Sequence, residues 1–156
     1  MPVDFSCQAL EKFEGVKRRM EVIFENQNTI IYEDFAHHPT AIESTLQGLR
    51  EIAPQDFILV VIEPASHTMR NGYHQKTLSK SCRRADLALW YKPESITWDM
   101  STLANDKTEI ISDLELVRKK IFEKASTNKE KIRIVIMSNS GFSGLCKDLV
   151  TTLTNS

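Results

Sequence analysis

Three polar stretches hold the residue types that could do chemistry. The first, Asp34-Phe35-Ala36-His37-His38-Pro39-Thr40, offers a carboxylate and two imidazoles. The second is Glu63-Pro64-Ala65-Ser66-His67-Thr68-Met69-Arg70-Asn71-Gly72, and the third is Ser138-Asn139-Ser140-Gly141-Phe142-Ser143-Gly144. Ahead of them stands a basic triplet, Lys17-Arg18-Arg19, after Gly15. A guanidinium suits phosphate through its forked donors, and a carboxylate suits a pair of ribose hydroxyls. A cation of this triplet and Asp34 could therefore serve one ligand; a solvated basic face is the other reading of such a triplet.

Adjacent histidines point their side chains apart in extended or helical backbone, and no His-x-x-x-His or Cys-x-x-Cys spacing accompanies His37 and His38. No metal site is expected. One imidazole is expected to cap a helix beginning near Thr40, and the other to face solvent or a ligand. The Gly141-to-Gly144 turn could present backbone N–H groups to a carboxylate or phosphate. Its spacing is that of neither a dinucleotide fingerprint nor a Walker A loop, the part that normally cradles the ATP triphosphate and its Mg²⁺.

These stretches need elements to position them. Phe57 to Ile62, Leu87 to Tyr91 and Ile132 to Met137 are short apolar runs, as expected of strands buried on both faces. Met20 to Phe24 and Thr29 to Glu33, separated by Glu25-Asn26-Gln27-Asn28, predict a hairpin. Thr40 and Glu43 have capping-box spacing, and Ile42, Leu46, Leu49 and Ile52 form an apolar stripe behind them. Further helices are expected over Gln75 to Arg84, Asp113 to Lys124 and Gly144 to Leu153. On the third of these four helices, Glu115, Arg118, Lys119 and Lys120 read as a solvent face. Strand and helix alternate, so the fold class is α/β, a Rossmann-like mostly parallel sheet with helices on both faces. In such sheets ligands bind beyond the carboxyl ends of the strands, where all three polar stretches fall.

The 156 residues suit one domain with its own core. Twenty basic against twenty-one acidic residues leave a charge of −1, so no broad field draws nucleic acid or anionic lipid. No apolar run approaches the ~20 residues that span a bilayer. Met1-Pro2-Val3-Asp4 is not expected to open a secretory signal, and Cys7, Cys82 and Cys146 are not expected to form a disulfide framework. The expected setting is the cytoplasm, with neither nucleic acid nor membrane as partner.

Gly15-Val16-Lys17-Arg18-Arg19, the Asp34-to-Thr40 stretch and the second and third stretches, in that order, resemble the C-terminal domain of the Mur ligases, the ATP-dependent amide-forming enzymes of peptidoglycan synthesis. The likeness runs from about Leu10 to the end of the chain. It implies residues 14–156 as this domain and 1–13 as a remnant of an upstream domain or linker. Glu63-Pro64-Ala65-Ser66-His67-Thr68-Met69 and Met137 to Gly144 favour the peptidoglycan-recycling branch. That branch joins L-alanyl-γ-D-glutamyl-meso-diaminopimelate to UDP-N-acetylmuramate. The family activates the muramate carboxylate as an acyl phosphate, which the peptide amine attacks.

By this resemblance Arg19 contacts the nucleotide phosphates, Asp34 holds the ribose hydroxyls, and His37 and His38 belong to the turn beside the nucleotide. Ser66, His67, Thr68 and Arg70, with Asn139, Ser140 and Gly141, would face the incoming peptide. ATP and Mg²⁺ would be held mostly by upstream central and N-terminal domains, the partners of this one, and no catalytic residue or metal ligand is expected in the chain itself. The chain is expected to be part of a longer protein and not to form the amide bond alone. One departure stands out: the recycling branch has Arg and Asn where this sequence has Ala65 and His67. Ala65 cannot pair with a carboxylate, so Arg70 or His67 is expected to replace that contact. Two alternatives compete: a free-standing nucleotide- or anion-binding α/β module without catalysis, and a small metal hydrolase using His37 and His38.

Overall fold

The computed structural model describes residues 19–155; Lys17, Arg18 and an expected lead-in helix over Met1 to Phe13 lie outside them. Six strands form one sheet: β1 (Glu21–Glu25), β2 (Thr29–Asp34), β3 (Phe57–Ile62), β4 (Leu87–Tyr91), β5 (Thr108–Ile111) and β6 (Ile132–Met137). Their order is β1-β2-β6-β3-β4-β5, with β1 antiparallel to β2 and every other pairing parallel. The expected hairpin and mostly parallel sheet are both present. β5 was not expected: it has four residues, with Thr108 and Ile111 buried and the pair between them half-buried.

Helices cover both faces. On one side lie α1 (Pro39–Ile52), α2 (His67–Arg70) and α3 (Gln75–Ser81), with a 3-10 turn at Met100–Leu103. Ile42, Leu46 and Leu49 of α1 pack there against Ile58, Val60 and Ile62. On the other lie α4 (Leu114–Thr127) and α5 (Leu145–Thr154), where Val117, Ile121, Leu145 and Leu149 meet Leu59, Val61, Ile134 and Ile136. Alternate residues of one strand thus feed two cores, as the two-residue period of a strand requires.

Four local expectations need correction. The capping box does not form: His38 is the N-cap of α1, its Nδ1 accepting from the Thr40 N–H at 3.2 Å, while Glu43 pairs with Arg83 at 2.5 Å. Pro39, whose fixed φ suits the first helical position, sets the N-cap two residues before the Thr40 of the expected box. Ile52 leaves the buried stripe and is 77 % exposed, because α1 ends there. The helix expected over Gln75 to Arg84 stops at Ser81. The supposed solvent face of α4 makes ties to other elements: Arg118 bonds Asp148 of α5 at 2.5 Å and Lys120 bonds Glu109 of β5 at 2.6 Å.

Candidate functional site

The register of the sheet builds the site. Asp34, Met137 and Ile62 lie abreast, the last residues of β2, β6 and β3. The chain therefore leaves three neighbouring strands at one level, and the three polar stretches emerge side by side. Backbone bonds extend the sheet by one step: Ser138 N–H donates to the Asp34 carbonyl at 3.1 Å, and Glu63 N–H to the Met137 carbonyl at 3.0 Å. The Ser66 hydroxyl, N-cap of α2, donates to the His37 carbonyl at 3.4 Å and joins the first loop to the second.

In the first loop, Asp34 is 6 % exposed. Its Oδ1 accepts from Ala36 N–H at 2.7 Å and its Oδ2 from Met20 N–H at 2.9 Å. The carboxylate thus ties the entry of the hairpin to the exit of β2. Arg19 and Asp34 line one cleft of about 140 Å³ with Phe35, Ala36, His37 and two α1 residues, Ala41 and Thr45. Ligand pockets usually run to ~300 Å³ or more, so this cleft has room for part of a nucleotide. His37 holds the Phe35 carbonyl through Nδ1 at 2.9 Å. His38 caps α1 and meets the ring of His74 edge-on at 4.5 Å, and Tyr73, 82 % exposed, extends that aromatic edge.

The second loop is held by burial of Met69 and by Trp98, whose indole N–H donates to the Met69 carbonyl at 3.0 Å. Gly72 closes it at φ +70°, where an added Cβ would lie 2.8 Å from Trp98 Cγ. On this support Thr68 and Arg70 are exposed, and the exposed His67 ring lies 3.3 Å from the Asn71 amide.

Sequence reasoning passed over Glu63, which connects the second loop to the third. Its Oε2 receives the hydroxyls of both Ser138 and Ser140, each at 2.5 Å. Ser138 Oγ in turn accepts from Ser140 N–H at 3.0 Å, and Ser140 Oγ from Phe142 N–H at 3.2 Å. The available signal was positional, since Glu63 follows β3 as an acidic first residue beyond the sheet. The third loop then turns through positive φ at Phe142 (42°), Ser143 (48°) and Gly144 (77°). Such angles strain a bulky side chain, and burial of the Phe142 ring beside Tyr91 offsets the cost. Gly144 N–H donates to the Gly141 carbonyl at 3.0 Å. With Ser140 and Phe142 also engaged, the loop spends three amide protons on itself. Asn139 Oδ1, by contrast, is buried with no hydrogen-bond partner.

Among the described residues, no group of three or more His, Cys, Asp or Glu could hold a metal ion, and no helix is long and apolar enough to cross a membrane. Residues 18–140 match the family model described as Mur ligase, glutamate ligase domain. The chain belongs to the Mur ligase family. It is 34 % identical over 155 residues to a UDP-N-acetylmuramate–L-alanyl-γ-D-glutamyl-meso-2,6-diaminoheptandioate ligase of Haemophilus influenzae, covering 97 % of this chain and 34 % of that one. The Escherichia coli ligase of the same name is 33 % identical over 156 residues, covering 97 % and 33 %. Among solved structures, a murein peptide ligase of Psychrobacter arcticus matches with TM-score 0.76 and 36 % identity over 97 % of this chain and 33 % of that one. A domain from a Haemophilus ducreyi protein described as a putative ligase of this kind gives 0.68 and 32 %, covering 86 % of this chain and 99 % of that domain. The chain thus spans about a third of the full-length Mur ligase relatives it matches, and the fold expected from the resemblance is the one found.

Proposed function

We propose that this chain is the C-terminal domain, residues 14–156, of a cytoplasmic ATP-dependent ligase of peptidoglycan recycling that joins murein tripeptide to UDP-N-acetylmuramate. The observation that carries the proposal is the convergence of the three loops at one level of the sheet, with Arg19 and Asp34 lining one cleft. ATP would supply the phosphoryl group that activates the muramate carboxylate. This domain contributes positioning and charge as it closes over the site.

Arg19 offers its guanidinium to phosphate at the mouth of the cleft. Asp34 uses one lone pair of each oxygen on the backbone, which leaves acceptor capacity for ribose hydroxyls. His37 and His38 shape the turn beside the nucleotide. A cleft of about 140 Å³ holds only a portion of that ligand. The upstream central and N-terminal domains would hold the triphosphate, Mg²⁺ and UDP-sugar. On the peptide side, Ser66, His67, Thr68 and Arg70 of the second loop and Asn139, Ser140 and Gly141 of the third would meet the peptide, the two loops being joined by Glu63. Arg70, exposed, supplies the carboxylate partner that Ala65 cannot.

Titration of ¹⁵N-labelled chain with ADP tests this reading. Amide shifts concentrated at Arg19, Asp34 to His38, Ala41 and Thr45 are expected, weakened at least tenfold in Arg19→Ala. Shifts spread over another face, or a full response in Arg19→Ala, would remove the nucleotide assignment. A tripeptide titration that left Arg70→Ala as tight as the parent would remove Arg70 from the peptide face.

A further inference from the structure

Glu63 has no role in the reading above beyond its place in the chain, yet it organises the polarity of the loop opposite. Both serine hydroxyls bond one carboxylate oxygen at 2.5 Å, and a carboxylate oxygen accepts. The protons of Ser138 and Ser140 are thereby committed to Glu63. Neither hydroxyl can give that proton to a ligand carboxylate without giving up its bond. The amide protons of Ser140, Phe142 and Gly144 are likewise turned into the loop. The Glu63 carboxylate itself still offers acceptor capacity. Among the described residues Glu63 has no ion pair, and no donor reaches its Oε1. It is a half-buried carboxylate held only by neutral donors, with one anionic oxygen left for a ligand.

We infer that Glu63, with its two serines, is the ammonium-recognising site of this domain, taking a primary ammonium group of the incoming peptide on Oε1. The inference rests on the peptide-face reading of these loops and deepens it. Ser138 and Ser140 hold the carboxylate in place and orient it. Arg70, exposed on the second loop, serves the opposite charge, so the peptide is read at a cationic and an anionic point. A murein tripeptide carries ammonium groups at its N-terminus and on its third residue, and either satisfies the same chemistry.

The test uses the whole 156-residue chain, for which the solved Haemophilus ducreyi domain of similar extent is a precedent. Three probes are titrated into ¹⁵N-labelled protein: L-alanyl-γ-D-glutamyl-L-lysine, its norleucine analogue lacking the side-chain ammonium, and its N-acetyl form lacking the terminal one. The lysine peptide is expected to shift the amides of Glu63 and of Ser138 to Phe142, and Glu63→Gln to weaken it at least tenfold. For the probe lacking the recognised ammonium, the parent protein already binds weakly and Glu63→Gln changes little, which identifies the group. A structural role alone would weaken all three probes alike. That outcome, or equal affinity of parent and Glu63→Gln for the lysine peptide, overturns the inference while leaving the peptide-face reading in place. No loop shift with any probe at millimolar concentration overturns both. Glu63→Asp, which keeps the charge on a shorter stem, is expected to recover part of the binding.

Discussion

The two ends of the sheet treat their carboxylates differently. At the amino ends of β3, β4 and β6, acids meet guanidinium groups. Arg50 bonds Asp86 at 2.6 Å and also donates to the carbonyls of Pro54, Asp56 and Arg84. Arg133 bonds Asp56 at 2.6 Å and donates to the Tyr32 hydroxyl at 2.5 Å. Burial works against the Arg133 charge, but Asp56 and Tyr32 more than offset it and hold its pKa above the usual arginine value. At the carboxyl ends, Asp34 and Glu63 are held by backbone N–H groups and hydroxyls, with no ion pair among the described residues. A charge paired inside the protein has little left to offer a ligand. A charge held in place by neutral donors keeps its field, which is what a recognition site needs.

Breaking the paired end should cost the most. Arg50→Ala strands Asp86 and three carbonyl groups; with both partners partly exposed, the expected loss is about 2 kcal/mol, or ~4–8 °C in Tm, by thermal denaturation. At the other end Asp34→Ala removes the acceptor for two backbone donors, one of them buried. It should lose about 1–2 kcal/mol in urea titration and abolish the ADP-dependent shifts around the cleft. Glu63→Gln keeps an acceptor for the serines and should stay within about 1 kcal/mol of the parent, so its effect falls on binding. A loss as large as that of Arg50→Ala would erase the distinction between the two ends.

The smallest expected effect lies between them, at Cys82 in the core under α3. Burial pushes this thiol up to about 12 from an ordinary value of 9.0, against smaller opposing effects of Ser81 and Trp90. Between those values the unfolded chain gives up a proton that the folded chain keeps. The thiol's contribution to stability is complete below about pH 9 and falls as pH rises toward 12. The urea midpoint of the parent should therefore decline more steeply over that range than that of Cys82→Ala. Parallel curves would show that the thiol does not contribute.

Composition and pattern revealed the alternation of strands and helices, the apolar runs of β3, β4 and β6, and the three polar loops, because burial on two faces imposes a continuous apolar run on a strand. The motifs of those loops carried the family likeness. β5 was hidden by its length: four residues, two of them half-buried, leave no pattern to read. The His38 cap was open to a proline at the first helical position but competed with a plausible Thr40–Glu43 box, and only the backbone decided between them. Arg118 and Lys120 read as solvent-facing because their partners, Asp148 and Glu109, sit on other elements.

The order of residues along the chain determined which groups would stand at the ends of the strands, Asp34 after β2, Glu63 after β3 and Ser138 after β6. It could not say that β6 would insert between β2 and β3. Local preferences act over a few residues, whereas strand order is chosen by which faces must be buried and which connections can cross over them. That insertion brings Ser138 and Ser140, more than seventy residues away in sequence, onto the carboxylate of Glu63. The residue types of the site could be read along the chain; that the hydroxyl protons of Ser138 and Ser140 turn onto the Glu63 carboxylate was decided by the tertiary structure.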